Sequence, residues 1–306
     1  MQPFDNLKVP AIAAPMFLTS GPDLVVECCR SGVLGTFPAL NQRTTEGFGA
    51  WLTEIEGRLA EVENPAPYGV NLIVHRTNPR VEPDLKLCVE HKVPLVITSL
   101  GAVKEVVDAV HSYGGKIFHD VIKTRHAEKA VEAGVDGLIA VCAGAGGHAG
   151  TLSPFGFLPE IRSFFDGTIV LSGAISTGAH VAAARAMGAD LAYLGTRFIA
   201  TEESLVTPEN KQMILGSKAG DIVYTPKVSG VNANFMRASL AAAGLDPENM
   251  PDHEGMDMGS ERKAWKNIWS AGHGVAAIDD VIPAADLCDR LAREYREACA
   301  MLCADA

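Results

Sequence analysis

Short apolar runs bounded by glycine or proline recur along this 306-residue chain, and most are followed by a stretch with helical periodicity. The predicted strands are Ala11–Ala14, Val33–Phe37, Tyr68–Ile73, Leu95–Thr98, Lys116–Val121, Gly137–Val141, Ile169–Ser172 and Leu191–Leu194. The predicted helices are Pro22–Ser31, Thr44–Val62, Pro83–Glu90, Val103–Tyr113, Thr124–Ala133, Pro154–Phe165, Gly178–Met187 and Thr201–Ile214. Strands that are apolar throughout, rather than on alternate residues, are buried on both faces, as in a parallel sheet wrapped by helices. Eight such units over roughly 200 residues fit an α/β fold of the (β/α)8 TIM-barrel type better than an open doubly wound sheet. No Gly-x-Gly-x-x-Gly follows the first strand, as a dinucleotide-binding sheet would want.

Two turns repeat the same solution. Ala-Val-Glu-Ala-Gly-Val-Asp (130–136) and Ala-Arg-Ala-Met-Gly-Ala-Asp (184–190) each end a helix on a capping glycine and re-enter a strand. Past the eighth unit the pattern changes. Residues 1–215 are expected to form the barrel, and residues 216–306 a loop-rich and helical extension that caps it, with helices at Lys263–Ile268 and Ala284–Met301. The extension has too little apolar periodicity for a core of its own.

Composition narrows the partners. A formal net charge of −11 argues against nucleic acid or an anionic membrane surface. Seven cysteines without a Cys-x-x-Cys pair suggest neither a disulfide framework nor a structural zinc. No signal-peptide pattern and no bilayer-length apolar run stand out, so a reducing, cytoplasmic setting is expected.

The chemistry is expected where strands end. In a parallel barrel the loops at the C-terminal ends of the strands carry the site, and those after strands 7 and 8 often bind phosphate through backbone N–H groups. Ala14-Pro15-Met16 follows the first strand, Ser172-Gly173 the seventh and Gly195-Thr196 the eighth, with the Thr196 hydroxyl as an extra donor. Asn71, near the end of the third strand, adds an amide that both donates and accepts. After the sixth comes Gly144-Ala145-Gly146-Gly147-His148-Ala149-Gly150, one imidazole inside a loop whose glycines let the backbone approach a flat ligand. Read from residues alone, it is either a reactive loop or a glycine turn carrying a solvated histidine.

These segments resemble the nitronate monooxygenase family, formerly 2-nitropropane dioxygenases, over about Pro10 to Ile199. Ala14-Pro15-Met16 is similar to the family's first flavin segment and Asn71 to its flavin-contacting asparagine. Gly146-Gly147-His148-Ala149-Gly150 is similar to its Gly-Gly-His-x-Gly loop, and Leu194-Gly195-Thr196-Arg197-Phe198 to its phosphate-binding end. The resemblance implies an FMN-dependent oxidoreductase using a small-molecule nitronate and O2, with His148 catalytic and Ala14, Pro15, Met16, Asn71, Gly146, Gly147, Ser172, Gly173, Gly195 and Thr196 holding FMN. It implies no metal and leaves a homodimer open. The loop is shared with NAD(P)H-dependent FMN reductases of enoyl thioesters or quinones, which form the alternative. A flavin-free barrel lyase and a non-catalytic flavin-binding protein are more distant rivals. Two departures bear on substrate: Val141-Cys142-Ala143-Gly144-Ala145 stands where many relatives have Gln-Gly-x-Glu-Ala, and Asp120 where several have lysine.

Each role has a plainer counterpart. A free imidazole, with a pKa of about 6.5, exchanges protons near neutrality, so His148 is read as a general base or charge stabiliser, against a structural loop cap. His119 and Asp120 alternate on the fifth strand, so only one is expected to face the barrel mouth. Asp120 there holds substrate or orients a neighbour, or else makes a surface ion pair. Cys142 is read as a small buried hydrophobe. Asp252, His253, Glu254 and Asp257 are read as a solvated loop rather than metal ligands, and Trp265 and Trp269 as packing the extension onto the barrel.

Overall fold

The computed structural model describes residues 4–101, 103–251 and 268–304. Eight parallel strands close into a barrel: β1 (Ala11–Ala13), β2 (Leu34–Pro38), β3 (Tyr68–Ile73), β4 (Leu95–Ser99), β5 (Lys116–Val121), β6 (Gly137–Val141), β8 (Thr168–Ser172) and β9 (Leu191–Leu194). A two-residue strand, β7 (Gly147–His148), lies outside it. Closure is by β1 against β9, with Ile12 opposite Tyr193. The predicted TIM-type barrel is therefore the fold, with small shifts at element ends.

The two-sided burial inferred from apolar strands is realised as two distinct cores. On β8, Val170 faces inward into a plug shared with Ile12, Leu34, Phe118 and Ile139, while Ile169 and Leu171 face outward into the larger shell beneath the helices. Each fully buried aliphatic side chain contributes about 1.5–3 kcal/mol, whereas an exposed helical pair such as Lys104–Asp108 contributes about 0.5 kcal/mol. Burial, not surface charge, holds the barrel.

Helices α1 (Pro22–Arg30), α2 (Thr45–Leu59), α3 (Val81–Glu90), α4 (Lys104–His111), α5 (Thr124–Ala133), α6 (Pro154–Arg162) and α7 (Gly178–Ala186) follow successive barrel strands. The twin turns do more than end helices. Gly134 and Gly188 take left-handed φ values of 92° and 94°. The aspartate two residues on then staples the preceding strand: the Asp136 carboxylate accepts from Ile117 N–H at 3.0 Å, and that of Asp190 from Ile169 N–H at 2.9 Å.

The eighth unit departs from expectation. In place of one helix over Thr201–Ile214 there are α8 (Thr196–Ile199) and α9 (Pro208–Gly216), the latter started by the Thr207 hydroxyl accepting from Asn210 N–H and by Pro208 in the first turn. The place in the wall between α7 and α1 is taken by the last helix, α11 (Ala284–Ala304). At Gly178, where α7 meets it, a Cβ would lie 2.2 Å from the Leu291 carbonyl oxygen, so only glycine allows this approach. The Gly178 N–H donates to the Glu294 carboxylate at 2.8 Å.

The stretch expected to be loop-rich holds β10 (Ile222–Thr225), β11 (Ala233–Met236) and α10 (Arg237–Ala242). β10 and β11 pair antiparallel, and β11 also pairs antiparallel with β7, a sheet the sequence reading did not foresee. Residues 263–267 of the helix expected at Lys263–Ile268, together with Asp252, His253, Glu254, Asp257 and Trp265, lie outside the described residues.

Candidate active site

A cavity of about 1030 Å³ opens at the C-terminal ends of the barrel strands. One arc of its wall comes from Ala14, Pro15 and Met16 after β1, Ser172 and Gly173 at the end of β8, and Gly195 and Thr196 after β9. The rest of the wall carries Asn71, Ser99 and Asp120 from β3, β4 and β5, and Gly146, Gly147 and His148 from the loop after β6. His148 and all the residues expected to hold FMN thus border one space.

At the first arc the backbone is bare. Gly173 has φ 140°, and a Cβ there would lie 2.9 Å from the Ala143 carbonyl oxygen. Its neighbour Ala174 adopts φ 55°, a conformation that costs a residue with a Cβ about 1 kcal/mol or more and tends to mark functional sites. The Thr196 hydroxyl accepts from Gly272 N–H at 2.9 Å, which leaves its own hydrogen for another acceptor.

The histidine loop is fixed from far along the chain. His148 pairs with Ala233, and Gly147 with Asn234. The Asn234 side-chain amide donates to the Ala145 carbonyl at 2.6 Å, and Gly147 N–H donates to the Ser270 hydroxyl at 2.6 Å. Ser270 in turn donates to the Asn234 carbonyl at 2.7 Å. Gly146 abuts Gly272 so closely that a Cβ would meet its nitrogen at 2.8 Å. Sequence reasoning missed Asn234 and Ser270, which carry no motif and act through β11 and the stretch after it.

The floor holds a polar relay. Strand register sets Thr98 beside His119, and so Ser99 beside Asp120. The Asn71 amide nitrogen donates to the Ile97 carbonyl at 3.2 Å and to the Ser99 hydroxyl at 2.7 Å. Ser99 donates onward to Asp120 Oδ2 at 2.5 Å. Burial pushes the Asp120 carboxyl up to about 6, with the Ser99 hydroxyl and the nearby His148 pulling the other way. Asp120 Oδ1 and the Tyr193 hydroxyl are buried with no hydrogen-bond partner among the described residues. Tyr193 is raised well above its usual range by burial, and the Asp120 charge adds to that.

The expected division of β5 holds: His119 turns to the Thr98 hydroxyl at 2.7 Å, and burial pushes it down to about 4, so it is neutral at pH 7. The surface ion pair considered for Asp120 does not form, because the carboxyl is buried beside Ser99. Cys142 is buried, its thiol pushed up to about 12, which suits packing and not nucleophilic attack. No group of three or more metal-ligating side chains occurs among the described residues, and no described helix is long and apolar enough to cross a membrane.

A family model described as nitronate monooxygenase matches residues 1–294. The chain belongs to the nitronate monooxygenase family. A nitronate monooxygenase of Paraburkholderia phytofirmans is 24% identical, the match covering 96% of this chain and 94% of that protein. Among solved structures, FabK from Thermotoga maritima superposes with a TM-score of 0.82 at 23% identity, covering 99% of this chain and 97% of that one. A nitroalkane oxidase from Streptomyces ansochromogenes gives 0.80 at 24% identity, covering 97% and 99%. These last two share the fold. Membership of the nitronate monooxygenase family makes the chain a flavin-dependent oxidoreductase of that type.

The residues present fit a flavin. An added Cβ at Gly195 would meet nothing closer than 3.7 Å, so there is room at that end, where a phosphate would need backbone N–H groups. The volume lies at the upper end of the usual range for small-ligand pockets, about 300–1,000 Å³, so a prosthetic group and a small substrate can share it.

Proposed function

We propose that this nitronate monooxygenase family member oxidises alkyl nitronates, or the nitroalkanes that give them, using FMN and O2. The carrying observation is the placement of His148 on β7, bordering the same cavity as the glycine-lined end formed by β8 and β9. FMN, when bound, would supply a two-electron acceptor that O2 reoxidises. Gly173, Gly195 and Thr196 would hold its phosphate, with Ala14, Pro15, Met16, Asn71 and Ser172 along its length. The β11 pairing fixes the height of the His148 ring above the floor. From there the imidazole takes the α-proton of a nitroalkane or, once protonated, balances the charge of a nitronate. No Gly-x-Gly-x-x-Gly dinucleotide fingerprint occurs in the sequence to suggest an adenosine-binding fold, which favours FMN over FAD.

One observation favours the alternative, reduction of an enoyl thioester or quinone by NAD(P)H: an ionised Asp120 repels an anionic substrate. Two measurements decide. Mass spectrometry of the released cofactor is expected to give FMN, and colourless protein that takes up no FMN on reconstitution would end the flavin reading. Oxygen uptake with propyl-2-nitronate is expected without any NAD(P)H. Absence of uptake, with rapid bleaching of the flavin by NADH or NADPH, assigns the protein to the reductases instead.

A further inference from the structure

Asp120 and Tyr193 stand out because both border the cavity and each keeps one buried polar atom without a hydrogen-bond partner among the described residues. Burying such an atom costs on the order of 1–3 kcal/mol, so a fold that does it twice at one floor has left room for something. We propose that the Asp120 carboxylic O–H and the Tyr193 hydroxyl form a donor pair that holds an oxygen of the anionic substrate, the nitro-group oxygen that bears charge in a nitronate. The inference rests on the reading of this cavity as one that takes nitronates.

Hydrogen-bond direction supports it. The Ile97 carbonyl can only accept, so the nitrogen end of the Asn71 amide faces it and Ser99 alike. Ser99 accepts from Asn71, and its own hydrogen is committed to Asp120 Oδ2. With Oδ2 acting as an acceptor, the proton of the neutral acid sits on Oδ1, the atom without a partner. Tyrosine paired with an un-ionised carboxylic acid is a known way to hold an oxyanion in a dry site.

The sign follows directly. Asp120 donates below about pH 6 and becomes a repelling carboxylate above it. A bound anion favours the protonated form and moves the transition upward. Among the described residues, the titratable groups facing Asp120 are His148 from β7 and Tyr193 from β9. Asn71 and Ser99 on β3 and β4 do not titrate, Ile139 and Val170 on β6 and β8 are apolar, and His119 faces Thr98.

Nitrate tests the pair without turnover, since it is planar, carries charge on oxygen and does not titrate here. Calorimetric binding of nitrate to the flavin-loaded enzyme is expected to weaken about tenfold or more between pH 5 and pH 8. Asp120→Asn, which keeps a neutral donor, should bind with little dependence on pH, and Tyr193→Phe should bind about tenfold more weakly throughout. A wild-type affinity that does not change with pH overturns the proposal. So does a pH dependence that persists unchanged in Asp120→Asn, because His148 would then be its source. Thermal unfolding checks that both variants are folded, and Tyr193→Phe that binds nitrate as tightly as wild type also overturns the pair. If nitrate binds as expected but no nitronate supports oxygen uptake, the donor pair stands and the nitronate reading fails.

Discussion

Replacing His148 by alanine is expected to lower turnover about 10²-fold or more while the flavin stays bound. Removing a positioned proton-transfer group typically costs 10²–10⁴-fold. Little else should change, because the loop that presents the ring is held by other atoms: the backbone pairing with β11, the Asn234 amide on the Ala145 carbonyl and Gly147 N–H on the Ser270 hydroxyl. The glycine-lined end is built from other residues, at the ends of β8 and β9, and does not need the imidazole. The visible spectrum and flavin content of His148→Ala should match wild type, and kcat with propyl-2-nitronate should fall. Turnover at the wild-type rate would reduce His148 to a structural element. Loss of flavin together with activity would mean that the loop, not the imidazole, had failed.

Asp280→Ala is expected to destabilise the fold by about 3 kcal/mol. Arg197 follows the Gly195-Thr196 end of β9 and is almost wholly buried, its side chain 2% exposed. Its guanidinium meets the Asp280 carboxylate at 2.6 Å and the Asp280 carbonyl at 3.0 Å, and Arg290 on α11 grips the same carboxylate at 2.6 Å. Alanine strands a buried cation, and that loss outweighs anything an exposed ion pair contributes. Thermal unfolding should show a fall of roughly 5–10 °C. The Arg290 and Arg197 guanidiniums hold the Asp280 carboxyl below its ordinary range, so its contribution is present above about pH 4 and fades as the pH falls through the folded value. The gap between wild type and variant should therefore narrow in acid. A gap that is constant with pH would assign the loss to packing rather than charge.

The barrel was legible because most strands are short, largely apolar runs bounded by glycine or proline, a signal that survives without any knowledge of neighbours. That His148, Gly173 and Gly195 border the cavity was legible because glycine marks where backbone must come close. The sheet of β7, β10 and β11 was not, since β7 is two residues long and has no periodicity to read. Asn234 and Ser270 were hidden for the same reason: their partners are backbone atoms far away in sequence. The eighth helix was misplaced because the apolar residues of 201–214 continue the helical period, although Thr207-Pro208 marks a fresh start. The relay of Asn71, Ser99 and Asp120 depends on the registers of β3, β4 and β5, which single strands do not reveal. The opposed facing of His119 and Asp120, by contrast, follows from alternation alone.

The use of α11 to fill the gap between α7 and α1 has a kinetic consequence. A barrel whose helices follow their strands in turn can grow by local additions, each new unit docking on the last. Here the outer faces of α1 and α7 await a partner made roughly ninety residues after β9, and forming that contact closes a very large loop before it returns any burial. The wall therefore completes late, during or after release of the distal chain, and the intermediate before that step shows apolar flank to solvent. Because Ala233, Asn234, Ser270 and His273 also set the histidine loop, that loop takes its final form only after the barrel strands are in order. Recovery of activity on refolding should lag the return of β structure.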